Sequence, residues 1–274
     1  MRRRDGWTAA AAAAGAAVLA LSRFSPAEAQ EIGEPEATAA DDGDVPPSED
    51  GPGWFVGGEV ELPSRYVWRG LAWSDGPTLQ PALWAGAFGL TAWTWANLHL
   101  GETTAPDPTW EIDAGIDYAN EWNGLEVEAG FEFYGYPAVE DAPPTAELHA
   151  RITLPRGPVT LSTDHAVDVL EYPGAYFGEI AVALAHEPAD GLSLAWSFAL
   201  GWGSNKFNEA YVGPATDAIN VARGGVVVEW EPLDLLYLRL RLETSALLEE
   251  ILREAVGEPV LFVAALAVGS EWAP

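Results

Sequence analysis

The sequence predicts an all-β fold: an up-and-down antiparallel transmembrane β-barrel of twelve strands, behind a signal peptide and a disordered linker. Three observations carry this. From Trp54 onward apolar and polar residues alternate with period two, as in a sheet with one apolar and one polar face. The connections alternate between tight turns and longer loops, the layout of an outer-membrane meander. Many tryptophans fall near strand ends (Trp54, Trp68, Trp110, Trp202, Trp230 and Trp272), where amphipathic rings suit the lipid headgroup level.

Taken in order, residues 1–29 come first. Arg2, Arg3 and Arg4 form a basic start, Thr8 to Leu21 an apolar run, and Ala27-Glu28-Ala29 a small-x-small cleavage signature. This reads as a secretory signal peptide, and the run is short for a membrane span. The linker 30–53 follows, with eight acids and no base between residues 31 and 53. Such a segment cannot bury enough surface to offset its ordering entropy. Residues 54–274 then form one barrel domain.

The twelve strand segments are 54–68, 77–87, 90–100, 109–119, 124–134, 145–155, 158–168, 174–186, 191–202, 218–230, 233–243 and 259–272. Trp54, Val56, Val60 and Leu62 alternate with Glu59 and Glu61, and the same parities extended through the segment carry Tyr66 and Trp68 on the apolar side and Arg65 and Arg69 on the polar side. Ile112 and Ile116 alternate with Glu111, Asp113 and Asp117; Val127, Phe131 and Phe133 with Glu126, Glu128 and Glu132. Leu148 and Ile152 oppose Glu147 and Arg151, and Leu238 to Leu242 oppose Arg239 and Arg241. Segment 76–101 carries no charge, but Pro77, Pro81, Gly86 and Gly89 break it into two strands around a Phe88-Gly89 turn. Its facing is open, because Trp93 and Trp95 share parity with Asn97 and His99. Segment 245–256 has helical spacing and a Gly257 stop, so it is expected as a loop helix that caps the mouth or lies on the membrane surface.

If the apolar parity meets lipid, the polar parity lines a lumen. The lumen candidates are then Glu59, Glu61, Arg65, Arg69, Glu111, Asp113, Asp117, Glu126, Glu128, Glu132, Glu147, Arg151, Arg239 and Arg241. Acidic side chains on a pore wall concentrate cations and repel anions, which implies passive passage of small cations or polar solutes. The alternative is an interior filled by acid–arginine pairs, giving a non-conducting structural or surface-binding barrel. Twelve strands lie between a filled eight-stranded barrel and an open sixteen-stranded one, so strand number leaves both open. A soluble secreted β-protein is the third reading.

Composition excludes much else. Thirteen Lys+Arg against 42 Asp+Glu give a formal charge of -29, which argues against a nucleic-acid partner. With no cysteine there is no disulfide framework or thiolate metal site. Glu126/Glu128 and Asp164/Asp168 have spacings a cation can use, yet a solvated polar face explains them more simply, and no metal or cofactor is expected. His165 lies near Ser162 and Thr163, a weak signal for hydrolase chemistry, so no enzyme activity is expected.

The stretch Ser64-Arg65-Tyr66-Val67-Trp68-Arg69-Gly70-Leu71, followed by Ser74-Asp75-Gly76-Pro77 and Leu79-Gln80-Pro81, resembles the start of the TorF-type porins. That family begins with aromatic-Val-aromatic-Arg-Gly, a short Ser-Asp-Gly loop and an apolar strand. Trp93 to Asn97, Glu111-Ile112-Asp113, Tyr134-Gly135-Tyr136-Pro137 and Ala146-Glu147-Leu148 are similar to its later segments. The resemblance covers the first half of the domain by motif and the second half by pattern. It implies a bacterial outer-membrane barrel of transport function and agrees with Arg69 as a lumen residue, but supplies no substrate; the expected partners are outer-membrane lipid and, from the acidic parity alone, small polar or cationic solutes.

Overall fold

The computed structural model describes residues 53–101, 110–137 and 142–273. The expected signal peptide and nearly all of the expected linker lie outside the described residues. The elements are β1 (Trp54–Pro63), β2 (Val67–Trp68), β3 (Leu71–Ala72), β4 (Thr78–Ala87), β5 (Leu90–His99), β6 (Glu111–Trp122) and β7 (Leu125–Gly135). They continue with β8 (Thr145–Arg156), β9 (Val159–Asp168), β10 (Tyr176–Ala189), β11 (Leu192–Gly203), β12 (Ala218–Leu233), β13 (Leu236–Leu247) and β14 (Val260–Trp272). Two short helices, α1 (Asn205–Tyr211) and α2 (Glu250–Ala255), sit in the last two long connections.

Twelve of the strands close into one barrel, each antiparallel to its neighbours in sequence, with β14 pairing back onto β1. Twelve strands ~4.8 Å apart and tilted ~40° close on a wall roughly 24 Å across. The twelve strands correspond one for one to the twelve alternating segments of the sequence. Short turns set the register at one end. Phe88-Gly89 and Asn123-Gly124 are two-residue loops with positive φ at both positions (55° and 79°, 54° and 75°), the type I′ geometry that matches strand twist. The second of these falls later than the expected 120–123 turn, because β6 keeps pairing through Trp122.

The two faces are inverted relative to a water-soluble protein. Ile112, Ile116, Leu148, Ile180, Phe198, Leu240, Phe262 and Leu266 project outward and exposed, while Glu59, Asp113, Glu147, Asp168 and Arg223 are buried inside. An apolar surface of that extent needs an apolar surrounding. Trp54, Trp122, Trp230 and Trp272 mark its short-turn rim, with Trp54 packed edge-on against Trp272; Trp110 and Trp202 lie toward the long-loop rim.

Two expectations need correction, and one facing left open is resolved. The first strand stops at Pro63, so Tyr66 and Trp68 do not continue its outward parity; the chain turns inward and both rings sit inside the barrel mouth. Trp68 therefore belongs to no girdle. Trp93 and Trp95 also face inward with Asn97, because a broad indole fits wherever the neighbouring strand offers a glycine: a Cβ on Gly115 would lie 2.5 Å from Trp93. The helix expected over 245–256 is shorter, since Ser245 to Leu247 complete β13 by pairing with β12 and β14. Its Leu252 is fully buried against Leu71, so it caps the mouth.

Candidate functional site

The inner wall is built on a repeated device: a long side chain lies flat over a small residue on the next strand and meets its partner on the strand beyond. Arg239 and Arg241 of β13 oppose Ala267 and Ala265 of β14. Their guanidinium groups pass over these alanines to Glu59 and Glu61 of β1, with N···O distances of 2.6 and 2.8 Å. Arg239 also holds Glu229 at 3.0 Å and Arg241 holds Glu243 at 3.2 Å. The Arg239–Glu59 and Arg241–Glu61 pairs span the seam where the last strand meets the first. Arg223 of β12 reaches across β11, past Ala199 and Gly201, to Glu179 of β10. Trp84 of β4 lies over Gly57 of β1 and donates to Glu271 of β14 at 2.6 Å. Arg151 and Asp164, directly opposite on β8 and β9, pair at 2.6 Å.

Taking a carboxylate out of water costs several kcal/mol, recovered only with good ion-pair geometry and hydrogen bonds. Laying the pairs along the wall satisfies that demand at the wall itself rather than across the barrel axis.

The opposite wall is acidic. Glu111, Asp113 and Asp117 of β6, Glu128 and Glu132 of β7, and Glu147 of β8 are all buried on the inward face. Glu126 has the same parity but sits half-exposed near the short-turn end. Arg65 is not a wall residue. It follows the end of β1 and pairs with Glu258 at 2.6 Å at the rim, because the chain has already left the sheet.

A plug of loop elements packs inside the mouth at the long-loop end. Its centre is the β2–β3 hairpin, whose Arg69-Gly70 turn has φ of 51° and 82°, again type I′. From β1 the hairpin crosses to β8, five places away around the ring of twelve and so nearly opposite. There Arg69 clamps Glu147 through two parallel bonds of 2.8 and 2.7 Å, and the Tyr134 hydroxyl donates to the same carboxylate at 2.7 Å. The guanidinium also lies 4.2 Å from the Trp68 ring and 4.8 Å from Phe177. Gly70 is required by contact as well as by φ, since a Cβ there would lie 2.6 Å from Val221.

α1 completes the plug. Ser204 caps its start, accepting from the Phe207 amide, and the buried Asn208 side chain donates to the Thr216 carbonyl at 2.7 Å. This seats Phe207 in an apolar cluster with Leu71, Phe177, Val221, Leu247 and Leu252. Trp68 meets Phe207, Tyr211 and Tyr134 edge-on or tilted at 5.1–6.4 Å. Burial, and then the Glu111 carboxylate, push the phenols of Tyr66 and Tyr136 up, so both stay protonated and donate to Glu111.

Sequence reasoning missed several of these groups. Arg223 and Glu229 alternate with Ala222 and Val228 and were readable by parity. His149 shares the parity of Glu147 and Arg151 and was readable too, whereas Trp84 and Trp93 were not, because each lies over a glycine placed across the register.

No protein-family model and no curated protein matches this chain. Solved structures do match its fold. A KdgM porin superposes with a TM-score of 0.50 at 7% identity, covering 78% of this chain and 98% of that one. A NanC porin gives 0.51 at 11% identity, covering 79% and 99%. An outer membrane channel from Pseudomonas putida F1 gives 0.46 at 13% identity, covering 84% and 100%. The chain has the fold of a twelve-stranded porin-like barrel.

Proposed function

We propose that this chain is a bacterial outer-membrane barrel of the TorF type, without enzymatic activity, that passes small polar or cationic solutes when the plug at its mouth is displaced. The observation that carries this reading is the division of the interior. Charged side chains are paired along the wall, while one hairpin and two short helices hung from loops pack inside the mouth. The outward apolar belt supports a place in lipid, and the acid-rich wall supports preference for cations over anions. A second reading keeps the barrel closed permanently, as a structural or surface-binding protein. It is favoured by the burial of nearly every inward carboxylate.

Reconstitution in planar bilayers separates the two. The transport reading expects rare, cation-favouring conductance steps from the wild type and frequent ones once Arg69 is removed. If neither protein conducts, the barrel is structural.

A further inference from the structure

We propose that Asp117, Glu128 and His149 form a binding site for one first-row divalent cation of the Zn²⁺ type inside the barrel wall. The three residues come from β6, β7 and β8, and one donor atom of each lies within 4.8 Å of the others. All three are buried, at 2, 7 and 8% exposure. His149 Nε2 stands 2.9 Å from Asp117 Oδ1 and 3.8 Å from Glu128 Oε1.

Two independent features point to a ligand between them. Asp117 Oδ1 is fully buried, is aimed at the imidazole, and accepts no hydrogen bond. The second feature is Gly130, which lies directly between Asp117 and His149 in the register of the three strands. A Cβ on Gly130 would lie 1.9 Å from Asp117 Oδ1 and 2.6 Å from His149 Nε2. Its absence is what lets the carboxylate and the ring converge above the β7 backbone.

The donor chemistry sets the ion class. One imidazole and two carboxylates form a mixed nitrogen and oxygen set, suited to zinc and its neighbours rather than to calcium or magnesium. Donors ~2.1 Å from a shared tetrahedral ion sit ~3.4 Å apart, so the imidazole, now 2.9 Å from Asp117 and 3.8 Å from Glu128, must draw back from the first and close on the second by roughly half an ångström each. The ring can make that shift, since His149 Nδ1 makes no hydrogen bond that would hold it. With the imidazole neutral the cluster carries two negative charges, which one divalent cation cancels. Trp93 Nε1 donates to Asp117 Oδ2 at 2.6 Å, fixing the carboxylate from behind as outer partners of metal ligands do. The site does not depend on solute transport, because it lies in the wall whether or not the barrel conducts.

The test refolds the full chain into detergent in the presence of Zn²⁺, so that access is not the readout. Retained metal is then measured by competition with a chromophoric chelator. One Zn²⁺ per barrel is expected, with affinity lowered at least ~30-fold by His149→Gln, by the isosteric Asp117→Asn and by Gly130→Ala. Trp93→Phe, which touches no metal, should weaken it ~10-fold. Co²⁺ in place of Zn²⁺ should give a tetrahedral absorption band that His149→Gln removes. A heat-dependent gel shift checks that each variant is folded. Retention equal in wild type and folded His149→Gln would mean adventitious binding by the many surface acids, and would overturn the site, as would no retention at all.

Discussion

Removing the Arg69 side chain is the most direct test of how the mouth is held. In the closed barrel Arg69 and Glu147 are both buried and joined by two bonds of 2.8 and 2.7 Å. Arg69→Ala leaves the Glu147 carboxylate buried with the Tyr134 hydroxyl still donating to it, but without its cation. Breaking a buried pair by deleting one partner costs roughly 3–5 kcal/mol, and the lost contacts with Trp68 and Phe177 add about 1 kcal/mol. That penalty belongs to the closed state, because an opened mouth exposes Glu147 to water. At about 1.4 kcal/mol per factor of ten, even the lower figure raises the open-to-closed ratio at least a hundredfold. Single-barrel recordings in a planar bilayer read this as open time, and partial proteolysis reads it as cleavage in the 64–77 hairpin. Arg69→Ala/Glu147→Gln should recover much of the closure, since no charge is then stranded. Wild-type open time and cleavage rate in a folded Arg69→Ala protein would refute the assignment of the pair as the latch.

Three further perturbations test the wall. Arg239→Ala strands Glu59 at the β1–β14 seam and Glu229 on β12 and should lower unfolding free energy by about 3 kcal/mol, seen as an earlier denaturant midpoint; an unchanged midpoint would mean the seam is held by its backbone ladder alone. Leu240→Arg puts a charge on the outward belt and should cost ~2–4 kcal/mol in lipid vesicles, measured as reduced folding yield, whereas a protein that tolerates it would not have this belt in a membrane. Gly57→Val sets a side chain 2.4 Å from the Trp84 ring and should destabilise by ~1–3 kcal/mol through overpacking, read by the temperature of the gel shift.

The barrel was legible because its signal is repeated twelve times and each repeat is independent of the others. Leu238-Arg239-Leu240-Arg241-Leu242 specifies a two-faced strand by itself, and no neighbour is needed to assign the faces. The plug was illegible for the opposite reason. Tyr66 and Trp68 continue the parity of β1 without a break, and the turn that ends it is an Arg-Gly pair, with arginine where asparagine or aspartate normally signals a type I′ turn. Arginine in that left-handed position costs of order 1 kcal/mol, which the Glu147 clamp offsets, so local preference was overridden by a contact 78 residues away. The helix α1 left a fainter trace: Ser204 before Asn205-Lys206-Phe207 is a plausible cap by type, but seven residues are too few for periodicity to stand out. The Asp117, Glu128 and His149 cluster needed the register itself, since nothing in sequence says that Gly130 falls between the first and the last.

The plug and the acidic wall act through one carboxylate. Glu147 belongs by position to the row of inward acids on β6, β7 and β8, yet its charge is held by a guanidinium that arrives on a hairpin from the far side of the ring. The clamp therefore takes up one of the wall's negative charges, which on the transport reading opening would return to the lumen. On the transport reading this links gate and selectivity: cations that enter the mouth compete with Arg69 for Glu147, so the solutes the wall favours are also those that favour the open state. An anion gains nothing from that exchange. The same argument explains why the clamp is an arginine. A lysine would offer a point charge that a small cation can replace in kind, whereas the bidentate fork must lose two bonds and its aromatic contacts together, which keeps the mouth shut until the plug moves as a unit.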